Sequence, residues 1–321
     1  MKRTALLMII TMLLTGVLAG CGGNTGQKAD APVSVVCTIF PVYDWAKEIL
    51  GDNPGSVQLT LLADNGADMH SFQPTAQDIL TVKTADLFLY VGGESDAWVE
   101  DLIAEPESDT FKAVSLLEAL GDRAKEEEVV EGMQEEEHDH DHEEGPEVDE
   151  HVWLSLKNAA FLCEKITEDL AAADPDHAEA YRQNAKSYLA KLDELDARYA
   201  ETVEHASRKV FLFGDRFPFR YLADDYGLTY YAAFVGCSAE TEASFETITF
   251  LAGKVDELGL PVVLTIEGAD HRIAETVVEN TKDKNQQILT MNSLQAVTPS
   301  EDMTYLAAME ANLAVLEEAL K

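Results

Sequence analysis

The fold is decided by one long stretch of helical character, residues 174–205, which reads DPDHAEAYRQNAKSYLAKLDELDARYAETVEH. Its start, Asp174 followed by Pro175, is typical of an N-cap and a first helical position. Apolar side chains then recur at spacings of three and four, at Tyr181, Ala185, Tyr188, Leu192, Leu195, Tyr199 and Val203. A helix from Asp176 to His205 would be roughly 45 Å long at about 1.5 Å per residue, which is enough to cross two lobes and limit their relative rotation.

Strand-like and helix-like segments alternate on both sides of this helix. Before it, apolar strands are predicted at 33–40, 57–63 and 87–92. After it, the same character recurs in KVFLFG (209–214), LTYYAAF (228–234), PVVLTIE (261–267) and QQILTMN (286–292). Apolar strands separated by helices indicate parallel sheets covered on both faces. We therefore expect an α/β fold of two lobes, each a parallel-sheet α/β sandwich, joined by one long backbone helix.

These patterns divide the chain into a signal peptide, a tether, two lobes and a linker. The N-terminal lobe is predicted to contain an acidic, His-rich loop at 126–150. The predicted segments are a lipoprotein signal peptide at 1–20, a flexible tether at 21–32, an N-terminal α/β lobe at 33–173, the linker helix at 174–206 and a C-terminal α/β lobe at 207–321.

The N-terminal residues indicate export. Lys2 and Arg3 precede an apolar run, Ala5–Val17, which is too short for a membrane span. The sequence Leu-Ala-Gly then precedes Cys21, and this ending resembles the bacterial lipoprotein signal. The resemblance implies cleavage before Cys21 and lipidation of its thiol. An ordinary secretory signal is the alternative. We expect an extracytoplasmic protein held to the outer face of the cell membrane by its N-terminal lipid.

The charge of the chain favours cationic partners. Lys and Arg number 23 against 60 Asp and Glu, a formal net charge of −37. Such a surface repels nucleic acid and attracts cations, so we expect no nucleic-acid partner. Besides Cys21, the cysteines are Cys37, Cys163 and Cys237. An odd number does not indicate a disulfide framework, and each is expected to be a small buried residue.

Candidate metal ligands follow the predicted strands. His70, Asp215 and Glu267 each come after a strand, and His151 lies between the acidic loop and the next helix. Ligands bind outside the carboxyl ends of the strands in open parallel sheets. Imidazole nitrogens and carboxylate oxygens suit a divalent first-row metal. Each residue also has an ordinary alternative as a helix cap, a turn residue or, for Glu267, an ion pair with Arg272.

The acidic loop itself carries alternating His and Asp, in EEEHDHDHEEGPEVDEHVW at 135–153. Its histidines His138, His140 and His142 are predicted to form an auxiliary metal site. A flexible segment is ordered on binding at an entropic cost, so this site is expected to be weaker and exchangeable. The alternative is a solvated charged insertion.

A series of motifs, in order along the chain, resembles one family. They are TIFPVYDWAKEI (38–49), GADMHSFQPTAQDI (66–79), ADLFLYVGGESDAWVE (85–100), DEHVWLSLKNA (149–159), the 174–195 part of the long helix, YLADDYGL (221–228) and ETEASFETI (240–248). The family is that of the solute-binding lipoproteins of zinc and manganese ABC transporters. The resemblance covers nearly the whole mature chain. It implies two α/β lobes with one metal buried between them, and it implies His70, His151 and Glu267 as the first, second and fourth ligands.

The third ligand departs from the family pattern. Zinc members of the family place a His, and manganese members a Glu, five residues before the position of Tyr221. Here that position is Arg216, which stays protonated and cannot bind a metal. We predict Asp215, one residue earlier, as the third ligand, with His271 and Cys237 as alternatives.

The resemblance implies a binding protein and no enzyme. We expect the chain to capture Zn²⁺ between its lobes and deliver it, as a monomer, to an ABC transporter permease in the membrane. Mn²⁺ is the alternative ion, because two carboxylates make a harder site, whereas the His-rich loop favours zinc. A zinc hydrolase lacks support because no HExxH motif is present. A surface adhesin with a structural metal and a binder of an organic solute are further alternatives.

Overall fold

The structure is a computed structural model that describes residues 32–52, 57–104, 110–134, 147–268, 270–300 and 303–321. The predicted signal peptide lies outside these residues, and so do Cys21 and the loop histidines His138, His140 and His142. Within the described ranges, no helix combines the length and the apolar character that a membrane crossing requires.

The N-terminal lobe is built on a parallel sheet with the strand order β2-β1-β3-β4. Its strands are β1 (Val33–Cys37), β2 (Val57–Leu61), β3 (Leu87–Tyr90) and β4 (Lys112–Ser115). Its helices are α1 (Phe40–Leu50), α2 (Ala76–Lys83), α3 (Trp98–Ile103), α4 (Leu116–Leu120) and α5 (Leu156–Ala173). Strand β3 is buried along its whole length, as expected for a strand covered on both faces. The short strand β4, KAVS, was not predicted, because only Val114 in it strongly favours a strand.

The long helix α6 runs from Ala178 to His205. A 3-10 turn, Pro175–His177, precedes it, so the α-helix begins later than predicted. The carboxylate of Asp174 accepts a hydrogen bond from the Tyr181 hydroxyl. All the residues of the predicted apolar stripe are buried, namely Tyr181, Ala185, Tyr188, Leu192, Leu195, Tyr199 and Val203. The periodicity of the sequence thus correctly identifies the face that packs against the rest of the protein.

The C-terminal lobe is also built on parallel strand pairs. Its strands are β5 (Val210–Leu212), β6 (Arg216–Phe217), β7 (Thr229–Tyr231), β8 (Phe234–Val235), β9 (Val262–Ile266) and β10 (Gln287–Met291). Its helices are α7 (Arg220–Tyr226), α8 (Phe245–Leu258), α9 (Arg272–Asn280) and α10 (Tyr305–Ala319). Strand β5 pairs with β7, β6 with β8 and β9 with β10. A parallel bridge between Phe213 and Leu264 connects the first of these pairs to the last. The two-lobed α/β class predicted from the sequence is confirmed.

Buried hydrogen bonds connect the two lobes in addition to α6. The Tyr305 hydroxyl donates to the Trp153 carbonyl at 2.6 Å, and the Tyr305 amide donates to the Asp44 carboxylate at 2.8 Å. The indole of Trp153 donates to the Ser293 carbonyl at 2.8 Å. Breaking such bonds would leave buried polar groups unpaired, at a cost of about 1–3 kcal/mol each. The cleft between the lobes is therefore held in a defined shape.

Candidate metal centre

The side chain of His70 is positioned by a short turn that follows β2. His70 lies in the 3-10 turn Met69–Ser71, whose N-cap is Asp68. The Asp68 carboxylate accepts a hydrogen bond from the His70 amide at 3.0 Å. The imidazole Nδ1 lies 2.8 Å from the Ser95 hydroxyl, and a carboxylate oxygen of Glu150 lies 3.5 Å from the same nitrogen. These contacts leave Nε2 as the nitrogen directed into the cleft.

His151 also belongs to the N-terminal lobe and is fully buried. Its Nδ1 lies 3.0 Å from Asp149 Oδ1, and the same oxygen accepts the His151 amide at 2.9 Å. A carboxylate beside Nδ1 holds the proton on that nitrogen and leaves Nε2 with a free lone pair, the arrangement common among metal-binding histidines. The His70 and His151 Nε2 atoms are 3.1 Å apart. Two imidazoles from positions 81 residues apart thus converge on one point.

Cys237 completes this cluster. Its sulfur and one ring nitrogen each from His70 and His151 all lie within 4.8 Å of one another. Among the described residues, no other group of His, Cys, Asp or Glu side chains meets that geometric requirement. The preceding residue must be small, because a Cβ on Gly236 would lie 2.8 Å from a ring carbon of His151 and 3.0 Å from the Phe217 carbonyl. Gly236 therefore lets the loop after β8 approach His151 closely.

The other predicted ligands lie outside this cluster. Glu267 accepts hydrogen bonds from the amide and the hydroxyl of Ser293, at 2.6 and 2.7 Å. Asp215 accepts from the amides of Arg216 and Ile266, at 2.9 and 3.1 Å. Both carboxylates are thus directed at donors within the C-terminal lobe. Their part in metal binding stays a prediction.

His271, an alternative ligand in the sequence analysis, has a separate environment. It adopts the left-handed backbone conformation, with φ of 61°. Its Nδ1 lies 3.1 Å from the Thr265 hydroxyl. It does not join His70 and His151 within the described cluster.

Arg216 occupies a place next to the site. Its guanidinium pairs with the Asp68 carboxylate across the cleft, with Nη2 2.6 Å from Oδ2. It also donates to the Ser238 carbonyl at 3.3 Å. Arg216 therefore joins the two lobes as a cation. Sequence reasoning identified Arg216 as unable to bind a metal but did not foresee this ion pair.

Burial and neighbouring charges separate the pKa values of the two histidines. Burial, and next the nearby His151, lower the pKa of His70 to about 3. Burial alone would lower the pKa of His151 as well, but the carboxylates of Asp149, Glu150 and Glu127 outweigh burial and the net shift is upward. His70 is therefore neutral at physiological pH, whereas the carboxylates around His151 favour its protonated form when no metal is bound.

The flanks of the acidic loop contact residues next to this site. Glu126 forms an antiparallel bridge with Val148, and the Glu127 carboxylate accepts a hydrogen bond from the Cys237 amide at 3.2 Å. The amide of Gln134 then donates to the Ala233 carbonyl in the C-terminal lobe at 2.9 Å. The segment leading into the His-rich loop therefore spans from one lobe to the other beside the cleft.

Comparison with known proteins identifies the family. The chain belongs to the family described as zinc-uptake complex component A, periplasmic, whose profile matches residues 35–319. The resemblance found in the sequence is thereby confirmed. The chain is 32% identical over 327 residues to the high-affinity zinc uptake system protein ZnuA of Bacillus subtilis, covering 99% of this chain and 98% of that protein.

Other relatives agree with this assignment. The chain is 32% identical over 322 residues to the zinc-binding lipoprotein AdcA of Streptococcus pneumoniae. That match covers 99% of this chain but only 61% of the length of AdcA. Among solved structures, the Zn(II)-bound ZnuA-like domain of S. pneumoniae AdcA matches with a TM-score of 0.70 and 28% identity, covering 90% of this chain and 99% of that domain.

Proposed function

We propose that this chain is the extracytoplasmic solute-binding component of a zinc ABC importer. In this role it binds Zn²⁺ in the cleft between its lobes and delivers the ion to a membrane permease, with no chemical step. The observation that carries the proposal is the convergence of His70 and His151, whose Nε2 atoms are 3.1 Å apart.

The separation of these nitrogens suits zinc. Zinc–nitrogen bonds are about 2.0–2.1 Å long, and tetrahedral angles then place two ligand nitrogens roughly 3.3 Å apart. The distance in the structure is 3.1 Å, so a shift of a few tenths of an ångström would admit the ion. Asp149 and Ser95 hold the two rings from behind, which means that little ordering is needed on binding. This arrangement favours tight capture at a preformed site.

The names of relatives support zinc as the ion. ZnuA of B. subtilis is named for high-affinity zinc uptake, AdcA for zinc binding, and the solved AdcA domain holds Zn(II). Imidazole ligands also suit zinc better than manganese. These names favour neither the manganese alternative nor the adhesin alternative. The same family membership supports a binding protein rather than an enzyme.

The location follows from the sequence and the names of relatives. AdcA is named a lipoprotein, and Cys21 ends a signal-like segment in this chain. We propose lipidation of Cys21, attachment to the outer face of the membrane, and action as a monomer beside the permease. The acidic surface, with a net charge of −37, would raise the local concentration of divalent cations.

The acidic loop is proposed as an auxiliary collector of zinc. Its histidines His138, His140 and His142 lie outside the described residues, so the proposal rests on composition and on the flanks. Those flanks contact the C-terminal lobe at Cys237 and Ala233, through Glu127 and Gln134. A metal released from the loop would therefore have a short path to the cleft.

Zinc affinity of histidine variants tests the proposal. The chain from Val33, which forms one compact unit, is titrated against a chelator of known zinc affinity. Removing the hydrogen-bond partner of a metal ligand typically weakens metal binding roughly 10–100-fold. His70→Ala and His151→Ala remove the ligands themselves, so we expect each to weaken zinc binding by more than that. His205→Ala is the matched control, because His205 is exposed at the end of α6. Unchanged zinc affinity in both cleft variants would refute the proposal.

A further inference from the structure

We propose that the thiolate of Cys237 is a direct zinc ligand, so that this chain binds zinc through two imidazoles and a sulfur. The inference rests on the proposed function, since it adds a third ligand to the site formed by His70 and His151. It replaces Asp215, which the sequence analysis favoured for the third position. It also means that the ligand comes from the loop after β8 and not from Asp215 in the turn before β6.

The distances among the three side chains fit this coordination. Their ligand atoms all lie within 4.8 Å of one another. With zinc–sulfur and zinc–nitrogen bonds of about 2.3 and 2.0–2.1 Å, tetrahedral angles place sulfur and nitrogen roughly 3.6 Å apart. The largest separation therefore has to shorten by at most about 1.2 Å, a shift within the reach of side-chain rotation.

Two backbone features hold Cys237 at this distance. Gly236 has no Cβ, and an added one would lie 2.8 Å from a ring carbon of His151. The Cys237 amide donates to the Glu127 carboxylate at 3.2 Å, which ties the loop to the acidic segment. The sulfur thus lies beside the two imidazoles while its backbone amide is bound to the acidic segment.

Arg216 and Asp215, the residues at and before the expected third position, form other contacts. Arg216 is committed to Asp68 and to the Ser238 carbonyl, one residue beyond Cys237. The Asp215 carboxylate, in the turn between β5 and β6, accepts the amides of Arg216 and of Ile266 at the end of β9. Binding through Asp215 would require giving up those bonds, whereas Cys237 already borders the site. Arg216 cannot bind a metal, and the sulfur of Cys237 from the neighbouring loop takes the place of a ligand at that position.

A thiolate changes the preference of the site for metals. Sulfur ligands favour zinc over the harder manganese ion, which prefers carboxylates, carbonyls and water. Two imidazoles and a thiolate would therefore make the cleft more selective against Mn²⁺ than two imidazoles with two carboxylates. A fourth position remains for a carboxylate or a water molecule.

X-ray absorption at the zinc edge tests the ligand directly. The chain from Val33 lacks Cys21 and carries Cys37, Cys163 and Cys237. Loaded with one zinc, it should show a sulfur shell at about 2.3 Å in addition to nitrogen at about 2.0–2.1 Å. Cys237→Ser should lose the sulfur shell and bind zinc less tightly. Cys163→Ala, which removes a buried thiol in α5, should retain the shell.

The outcomes separate this inference from the proposed function. The wild-type protein could bind one zinc tightly through His70 and His151 and yet show only nitrogen and oxygen neighbours in its spectrum. That result overturns the inference of a sulfur ligand and leaves the zinc-binding role intact. A sulfur shell that survives Cys237→Ser also overturns the inference. Tight zinc binding that survives loss of both histidines overturns the proposed function itself. The wild-type spectrum decides the sulfur question even if the serine variant does not fold.

Discussion

Asp68 and Arg216 form an ion pair across the cleft, with 2.6 Å between Oδ2 and Nη2. The other Asp68 oxygen accepts the amide of His70, and Arg216 also donates to the carbonyl of Ser238, the residue after Cys237. The pair therefore links the turn that carries one proposed ligand to the loop that carries another. It fixes the distance between them before any metal arrives.

Breaking this ion pair should loosen the metal-free protein. Arg216→Met keeps most of the side-chain volume but removes the charge and its hydrogen bonds. The pair is only about one-fifth to one-quarter exposed, so we expect the free energy of unfolding to fall by about 1–2 kcal/mol. Urea denaturation of the metal-free chain measures the change.

The exposed ion pair between Arg182 and Glu168 provides the control. Arg182→Met breaks a surface contact that solvent screens, so it should leave stability nearly unchanged. Equal effects of the two variants would show that the pair across the cleft has no special role.

Removing the charge behind His151 should weaken zinc binding. Asp149→Asn keeps an oxygen near Nδ1 but removes the carboxylate that raises the basicity of the ring. Loss of such a partner typically costs roughly 10–100-fold in metal affinity. Chelator competition measures the change. Asp174→Asn is the matched control, because Asp174 contacts His177 at the start of α6; an equal loss there would contradict a specific role for Asp149.

Zinc affinity should fall as the pH falls, since bound zinc requires neutral imidazoles and a deprotonated thiol. The pKa of His70 is about 3, so His70 adds nothing to this dependence near neutrality. The pKa of His151 is raised, so its proton begins to compete with zinc above the ordinary histidine value of about 6.5.

The thiol adds a second proton to this balance. Burial, and next Glu127, raise the pKa of Cys237 well above its ordinary value, so zinc displaces about one proton from sulfur throughout the neutral range. Between about pH 8 and pH 6, we expect the logarithm of the affinity to fall by about one per pH unit, steepening as His151 protonates. Titrations at several pH values should give a shallower slope for Cys237→Ser. The same slope in both proteins would count against a thiolate ligand.

A methyl group at position 236 should disturb the site. In Gly236→Ala the new Cβ would lie 2.8 Å from a ring carbon of His151 and 3.0 Å from the Phe217 carbonyl. Relief of such overpacking typically costs about 1–3 kcal/mol, and zinc affinity should fall because Cys237 moves away. Thermal unfolding and chelator competition measure both effects.

Gly253 in α8 is the control for this substitution, because an added Cβ there has no atom within 4 Å. Gly253→Ala should stabilise the protein by about 0.5–1 kcal/mol through helix propensity and leave zinc binding unchanged. A harmless Gly236→Ala would mean that the loop after β8 is not held against His151.

The repeating patterns of the sequence predicted the architecture well. The apolar stripe of α6 is visible in the sequence because its period of three and four residues matches the helix, and every member of it is buried. Boundaries were less predictable, since Pro175 starts a 3-10 turn and not the α-helix itself. The run LTYYAAF, predicted as one strand, is divided into β7 and β8. Short strands such as β4 carry too few residues to show a period.

The site was only partly predictable because its members come from distant positions. His70 and His151 are 81 residues apart. Their placement relative to the predicted strands and the family resemblance, rather than any local spacing, suggested that they meet. Cys237 was no more than an alternative, because its position depends on how the loop after β8 folds. The close contact that Gly236 permits with His151 has no sequence pattern, so only the structure reveals it.

The most direct test of the account is the number of tight zinc ions bound when the His-rich loop is absent. In the chain from Val33, residues 135–146 are replaced by a Gly/Ser linker of equal length. This replacement leaves Glu127 and Gln134 unchanged. Zinc is then titrated against a competing chelator. The account predicts one tight zinc per chain, because His70, His151 and Cys237 lie outside the replaced segment. Loss of tight zinc in this variant would contradict it, since the loop would then be the principal site.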